Sequence, residues 1–119
     1  MSLSQQQQKF SYYCTMLFKW IYEQPGYSFT FGEAYRTPEQ AVIYAKAGKG
    51  IIDSLHCQRL AIDINLFIDG VYQTTTEAYK PLGTYWKSLD PNCKWGGDFI
   101  TRKDGNHFQY HPINLIKEV

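Results

Sequence analysis

The segment from residue 60 to residue 68 limits the possible folds of this chain more than any other stretch. It reads Leu-Ala-Ile-Asp-Ile-Asn-Leu-Phe-Ile, which alternates at the two-residue period of a β-strand. Asp63 falls on the face opposite the larger aliphatic side chains, and strands disfavour aspartate, so a partner should hold this carboxylate in place. We therefore predict a central strand whose core-facing residues are Leu60, Ile62, Ile64, Leu66 and Ile68.

Two histidines are candidate partners for Asp63. His56 lies in the segment that leads into the predicted strand, and His107 follows Asp104 in the sequence Asp-Gly-Asn-His. Two imidazoles and one carboxylate form a donor set suited to zinc. Three protein ligands that leave the fourth position to water are typical of a catalytic site rather than a structural one. Each histidine taken alone would more often be a hydrogen-bonded structural residue, and the combination with Asp63 favours a metal site.

The flanking segments predict an α+β fold, with about three helices packed on a small, mainly antiparallel sheet. Apolar residues recur at helical spacing from residue 4 to 24, Thr37-Pro38 begins a second helix, and a third is expected from about 76 to 89, starting late or kinked at Pro81. Asp69-Gly70 indicates a hairpin after the central strand. Further strands are expected at 27–31 and 107–110, and residues 91–98 are expected to form a loop with an exposed Trp95.

Length, charge and cysteine content narrow the class of protein. A chain of 119 residues is long enough for one domain with its own core, so we expect a single domain over residues 1–119. The formal net charge of +1 gives no electrostatic footprint for nucleic acid and no polybasic membrane patch. Three cysteines without a CxxC pair argue against a disulfide framework. We expect no nucleic-acid partner, and a monomer.

Four groups of residues follow one another in an order that points to a known family. They are Gly-Glu-Ala-Tyr-Arg-Thr at 32–37, Ser-x-His at 54–56 with Ala-x-Asp at 61–63, Trp-Gly-Gly-Asp-Phe at 95–99, and Asp-x-x-His-Phe at 104–108. With this ordered set the chain resembles the VanY-like family of zinc D-Ala-D-Ala carboxypeptidases and L-alanyl-D-glutamate endopeptidases, and in particular its phage endolysin branch. The resemblance implies the α+β fold of the Hedgehog and D-Ala-D-Ala peptidase type.

The resemblance also implies roles for individual residues. Zinc would be held by His56, Asp63 and His107, and Asp104 would be the catalytic acid/base that takes a proton from the attacking water and passes it to the leaving amine. An isolated Asp-Gly is usually only a turn, and the spacing to His107 favours the catalytic interpretation of Asp104.

Three further residues are candidates for contact with substrate. By the same resemblance, Arg36 and Ser54 would contact the substrate or the developing oxyanion, with Arg36 counted among the catalytic residues. Without the family resemblance, Arg36 could equally form a salt bridge at the start of the helix, and Ser54 could be a turn residue. Trp95 either lines the groove that receives substrate or anchors the packing of its turn.

Other interpretations of these residues remain open. Cys57 beside His56 could act as a thiol nucleophile with His107 as base, although nothing supplies the glycine-rich context expected for it, and an unpaired cysteine is usually a small hydrophobe. His111 could replace His107 as ligand but lacks the spacing to Asp104, so we expect it outside the first set of ligands or at the surface. A closed structural zinc site that uses Cys14, Cys57 or Cys93 is also possible, but the spacings of these cysteines match no zinc-ribbon or zinc-finger pattern.

From these features we expect a zinc-dependent peptidase of the peptidoglycan stem peptide that cleaves the L-Ala-D-Glu bond as a phage or prophage endolysin. A D-Ala-D-Ala carboxypeptidase of the same family is the second hypothesis, and a non-catalytic, zinc-containing binding module is the third. The sequence contains no signal peptide and no apolar window long enough for a membrane span. We therefore expect synthesis in the host cytoplasm and action on the cell wall after release.

Overall fold

The computed structural model of the chain describes residues 1–51 and 54–112. Within these residues, three α-helices and a five-stranded sheet make up the fold, which confirms the predicted α+β class. The predicted domain boundaries at residues 1 and 119 stay a prediction, because residues 113–119 lie outside the described part. The elements are α1 Leu3–Glu23, β1 Tyr27–Phe31, α2 Pro38–Lys46, β2 Ala61–Ile68, β3 Val71–Tyr72, α3 Thr76–Leu89, β4 Cys93–Trp95 and β5 His107–Tyr110, with 3-10 turns at Leu55–Gln58 and Gly96–Asp98.

The described sheet is antiparallel throughout and has the order β1-β2-β5-β4. β3 pairs with the far end of β2 through a tight hairpin, in which Asp69 (φ 51°) and Gly70 (φ 79°) have the positive φ angles of a type I′ turn. Pairing of β2 with β5 places Asp63 directly opposite His107. The central position of β2 therefore decides which residues can meet Asp63.

The helices begin where side chains satisfy their free N–H groups. Ser2 and Gln5 form a reciprocal capping box at the start of α1, and the Thr37 hydroxyl accepts a hydrogen bond from the Gln40 N–H at 3.1 Å at the start of α2. The buried residues of α1 recur every three or four positions, which gives this helix one buried, mainly apolar face against the sheet and α3. They are Gln6, Phe10, Cys14, Leu17 and Ile21.

The core lies on the face of β2 that the alternation predicts. Leu60, Ile64 and Leu66 are fully buried there, and each such aliphatic side chain contributes roughly 1.5–3 kcal/mol by leaving water. Trp86 of α3 lies beneath the sheet, where its indole N–H donates to the carbonyls of Lys94 and Gln109 at 3.0 and 3.1 Å. Helix α3 is thereby joined to β4 and β5, and the opposite face of β2 is left for Asp63.

In the second half of the chain, the predicted third helix is confirmed and the predicted loop at 91–98 with an exposed Trp95 is wrong. Helix α3 spans Thr76–Leu89 as expected, begins directly after its cap Thr75 rather than late, and includes the exposed Pro81. Residues 93–95 form strand β4 rather than loop, and Trp95 is only 5% exposed. Its indole packs between Gly83 and Gly97, where any added Cβ would overlap the ring, and its N–H donates to the Gly105 carbonyl at 2.7 Å.

Candidate metal centre

Three side-chain atoms of His56, Asp63 and His107 form a regular triangle on the outer face of β2. The Nε2 atom of His56, the Nδ1 atom of His107 and the Oδ1 atom of Asp63 are each 3.2 Å from the other two. Both histidines are buried, and Asp63 is half-buried. The structure thus brings together the three residues that the sequence predicts as ligands.

Different local features position each member of this triangle. Asp63 and His107 face each other across the β2–β5 pair. His56 lies in the 3-10 turn Leu55–Gln58, which Arg59 ends in a left-handed conformation with φ 55°. The Leu60 N–H donates to the Leu55 carbonyl at 3.0 Å, which returns the chain directly into β2. The six residues between His56 and Asp63 are therefore the rest of one turn followed by the start of a strand.

The triangle fits a tetrahedral zinc ion. Donors that lie about 2.0–2.1 Å from a tetrahedral zinc are about 3.3–3.4 Å from one another, close to the separations found here. When neither of these two ring nitrogens carries a proton, their lone pairs and the carboxylate oxygen converge in a buried place, and one cation between them would satisfy all three. Two imidazoles and one carboxylate are also donors that zinc prefers.

Charge within the cluster follows from burial and hydrogen bonding. Burial raises the pKa of Asp63, but hydrogen bonds from His107 and His56 outweigh it and bring the pKa to about 2. Burial lowers the pKa of His107, whereas its hydrogen bonds with Asp63 and Gln109 raise it above the ordinary value. Asp63 is thus held as a carboxylate, the form in which it ligates a cation.

Asp104 stands beside the triangle without being part of it. Its Oδ2 atom is 3.9 Å from Nδ1 of His107, and its side chain is 47% exposed. Burial of the remainder raises its pKa, while the positive charges of His107, His56 and Arg36 oppose this rise. A partly exposed carboxylate next to the triangle can reach both a water molecule at the site and a bound substrate.

Gly96 lets the Asp104 turn approach the triangle closely. Any Cβ at this position would overlap the carbonyl oxygen of Asp104 and lie 2.9 Å from Cβ of His107. The Asp104 N–H in turn donates to the Gly96 carbonyl at 3.0 Å. The first glycine of Trp-Gly-Gly-Asp-Phe is therefore explained by the space that Asp104 and His107 occupy.

Two residues outside the predicted site contact the outward nitrogens of the histidines. Nε2 of His107 lies 2.8 Å from the amide oxygen of Gln109, and Nδ1 of His56 lies 3.8 Å from Oε1 of Glu33. Gln109 could have been found from its place two residues after His107 on the same strand face. The sequence offers one weak signal for Glu33, its position within Gly-Glu-Ala-Tyr-Arg beside the candidate Arg36.

The three predicted substrate-contacting residues differ in what they touch. Nε of Arg36 donates to Oε1 of Glu33 at 2.7 Å, and the guanidinium lies 4.9 Å from the centre of the Tyr44 ring. The Ser54 hydroxyl oxygen accepts from the His56 N–H at 3.2 Å, so it caps the turn that carries His56. Trp95 has the packing environment described above, which favours the packing alternative. Substrate contact by these residues stays a prediction.

Two residues with alternative roles lie to the side of the site. His111 is exposed, and its backbone bonds to Asn92 at the end of β5, in agreement with a surface position. Cys57 is half-buried, with its sulfur 3.9 Å from the Thr37 carbonyl oxygen. Among residues 1–51 and 54–112, the group of three metal-ligating side chains includes no cysteine.

Comparison with known proteins relates the chain to peptidases. A solved structure, the L-Ala D-Glu endopeptidase ChiX of Serratia marcescens, is similar with a TM-score of 0.60 and 25% sequence identity, and the match covers 69% of this chain. The chain spans 65% of the length of that endopeptidase. A search of curated proteins finds no match.

A family model described as D-alanyl-D-alanine carboxypeptidase matches residues 47–110. These residues are more than half of the chain and include His56, Asp63, Asp104 and His107. The family resemblance predicted from the sequence is thus confirmed, and the chain belongs to the D-alanyl-D-alanine carboxypeptidase family.

Proposed function

We propose that this protein is a zinc-dependent peptidase that hydrolyses the L-Ala-D-Glu bond in the stem peptide of peptidoglycan. The observation that carries the proposal is the buried triangle of His56, Asp63 and His107 with Asp104 beside it, inside the segment that the family model matches. The choice of bond is supported by the similarity to an L-Ala D-Glu endopeptidase.

His56, Asp63 and His107 would hold the zinc ion. Zinc at such a site polarises the scissile carbonyl and lowers the pKa of a bound water to about 7. Asp104 accepts the proton of the attacking water as the new carbon–oxygen bond forms, and it returns this proton to the nitrogen as the carbon–nitrogen bond breaks. Its raised pKa and its partial exposure suit a group that must both take up and release a proton.

Arg36 contributes a positive charge that acts on Asp104. Its guanidinium is mostly buried, with 11% of the side chain exposed. A fixed cation near the reacting carbonyl stabilises negative charge that develops during attack, although the hydrogen bonds of Arg36 in this structure go to Glu33. We therefore propose an electrostatic contribution for Arg36.

A D-Ala-D-Ala carboxypeptidase is the second candidate. The description of the matching family model favours it, since that description names carboxypeptidase activity. Both activities use the same zinc and acid/base chemistry, and they differ in whether the peptide continues beyond the cleaved bond. The products therefore distinguish them.

The biological setting that we propose is lysis of the cell wall by a phage or prophage enzyme that acts as a monomer after release from the host cytoplasm. Its support is the resemblance of the Trp-Gly-Gly-Asp-Phe segment at 95–99 to the endolysin branch. Among the described residues, no helix is both long and apolar enough to cross a membrane.

The test is mass spectrometry of purified muropeptides after digestion, with chelator, and with chelator followed by added zinc. The endopeptidase predicts glycan that retains L-Ala and a released peptide that begins with D-Glu. Loss of one terminal D-Ala from pentapeptides would instead establish the carboxypeptidase. A folded, zinc-loaded protein that leaves every muropeptide intact would refute both and point to a binding module.

A further inference from the structure

Glu33 stands on the outer side of His56, away from the triangle. The Nδ1 atom of His56 is buried and has no hydrogen-bond partner within residues 1–51 and 54–112. The Oε1 atom of Glu33 lies 3.8 Å from it, slightly beyond hydrogen-bond distance. A buried polar atom without a hydrogen-bond partner destabilises the folded protein, so an acceptor as close as Glu33 is expected to stabilise His56.

The position of Glu33 is fixed by the same strand that carries Asp63. The Gly32 N–H donates to the Asp63 carbonyl at 2.8 Å, and the Asp63 N–H donates to the Glu33 carbonyl at 2.9 Å. These bonds extend the pairing of β1 with β2 beyond Phe31, and a side chain at Gly32 would crowd Asp63. The backbone of Glu33 is thus joined directly to a predicted metal ligand.

Arg36 orients the carboxylate of Glu33. Its Nε and Nη2 atoms both contact Oε1, at 2.7 and 2.5 Å, while the Arg36 N–H donates to the His56 carbonyl at 3.2 Å. The oxygen held by Arg36 is the one that faces Nδ1 of His56. Arg36, Glu33 and His56 therefore form a connected chain that leads from the segment before α2 to the triangle.

The other histidine, His107, already has a hydrogen-bond acceptor at the ring nitrogen that faces away from the triangle. His107 faces the triangle with Nδ1, and its Nε2 lies 2.8 Å from the amide oxygen of Gln109. A neutral imidazole that ligates a metal through one nitrogen carries its proton on the other, and an acceptor at that proton fixes the tautomer and makes the ligand more basic. Glu33 is placed to do this for His56.

We propose that Glu33, held by Arg36, is a positioning residue that accepts the Nδ1 proton of His56 and so keeps Nε2 available to the metal. This inference rests on the proposed zinc site. It gives Arg36 a second contribution besides its charge near Asp104, because loss of Arg36 would release the Glu33 carboxylate.

The test measures zinc affinity by competition with a chromophoric chelator, together with the ring nitrogen resonances of ¹⁵N-labelled His56. Glu33→Ala should bind zinc about 10- to 100-fold more weakly than the wild type, and the resonances should lose the signature of a single Nδ1-protonated form. Glu33→Gln keeps the size and one acceptor oxygen, so its loss should be smaller, and it carries the comparison if Glu33→Ala does not fold. Glu39→Ala, at an exposed glutamate in the first turn of α2, is the matched control and should bind zinc like the wild type.

The outcomes separate this inference from the proposed function. A wild type that binds zinc, combined with folded Glu33 variants of equal affinity and an unchanged His56 spectrum, overturns the role of Glu33 alone. A wild type that binds no zinc overturns the proposed function and this inference together.

Discussion

Asp63 and His107 lie directly opposite each other in the antiparallel pair β2–β5, with Oδ1 of the carboxylate 3.2 Å from Nδ1 of the imidazole. Because the two residues are registered by backbone pairing, the geometry of the site depends on the sheet rather than on a flexible loop. Of the three residues of the triangle, only His56 lies in a turn, and that turn is capped by Ser54 and joined to β2 by a backbone hydrogen bond.

Removal of a ligand should therefore abolish zinc binding without unfolding the sheet. We expect His107→Ala and Asp63→Ala to lose both zinc and activity, since each leaves two protein ligands in a site that has three. Metal analysis of the purified variants, with circular dichroism to monitor folding, measures this. Full zinc content in either variant would show that the ion binds elsewhere.

The sequence predicts the parts of the site that lie on regular strands. The alternation of residues 60–68 places Asp63 opposite the core, and the strand at 107–110 puts His107 and Gln109 on the same side; both placements follow from a two-residue period. Glu33 could not be placed in this way, because its approach to His56 depends on the irregular pairing of Gly32 with Asp63. That pairing is a tertiary feature without a local signal.

Short or unusual elements were harder to predict for a related reason. Strand β4 has three residues, too few to show a period, and it forms because Trp95 fits between two glycines and pairs opposite Phe108. Helix α3 runs through Pro81 because Tyr79, Leu82 and Trp86 are buried on its apolar face. In both cases packing outweighs local propensity.

Cys57→Ser should retain most of the activity. The proposed nucleophile is water, and the Cys57 sulfur contacts the Thr37 carbonyl oxygen rather than any member of the triangle. The comparison is the rate of muropeptide cleavage for the variant and the wild type at equal zinc content. Complete loss of turnover in a folded, zinc-loaded variant would favour the thiol mechanism instead.

Gly83→Ala should destabilise the protein although alanine favours helices. A methyl group at this position would lie 2.6 Å from Cε3 of the Trp95 ring, and overpacking of this kind typically costs about 1–3 kcal/mol. Thr84→Ala, at the next and exposed position of α3, should change the free energy of unfolding by a few tenths of a kcal/mol, about the difference in helix propensity. Urea denaturation of both variants makes the comparison, and equal midpoints would contradict the tight packing of Trp95.

The hydrogen bond from the Tyr13 hydroxyl to Asp90 should make stability depend on alkaline pH. This bond, with some burial, raises the pKa of Tyr13 from 10.0 to about 12 in the folded state. A raised folded pKa gives a contribution that is complete below pH 10 and is lost as the pH rises to about 12. Tyr13→Phe should therefore lose less stability than the wild type over this range, whereas Tyr12→Phe, at an exposed tyrosine, should behave like the wild type.

Asp104→Asn should separate catalysis from metal binding. Asp104 is 3.9 Å from Nδ1 of His107 and lies outside the triangle, so the variant should fold and keep its zinc. General acid/base catalysis is typically worth about 10²- to 10⁴-fold, and we expect a loss of this size in kcat. Asp98→Asn is the matched control, because this exposed carboxylate bonds to Lys87 rather than to the site and its loss should leave kcat unchanged.

Near wild-type turnover of Asp104→Asn would show that Asp104 is only a turn residue. Loss of zinc together with activity would make it a fourth ligand, and the proton acceptor would then have to be another group.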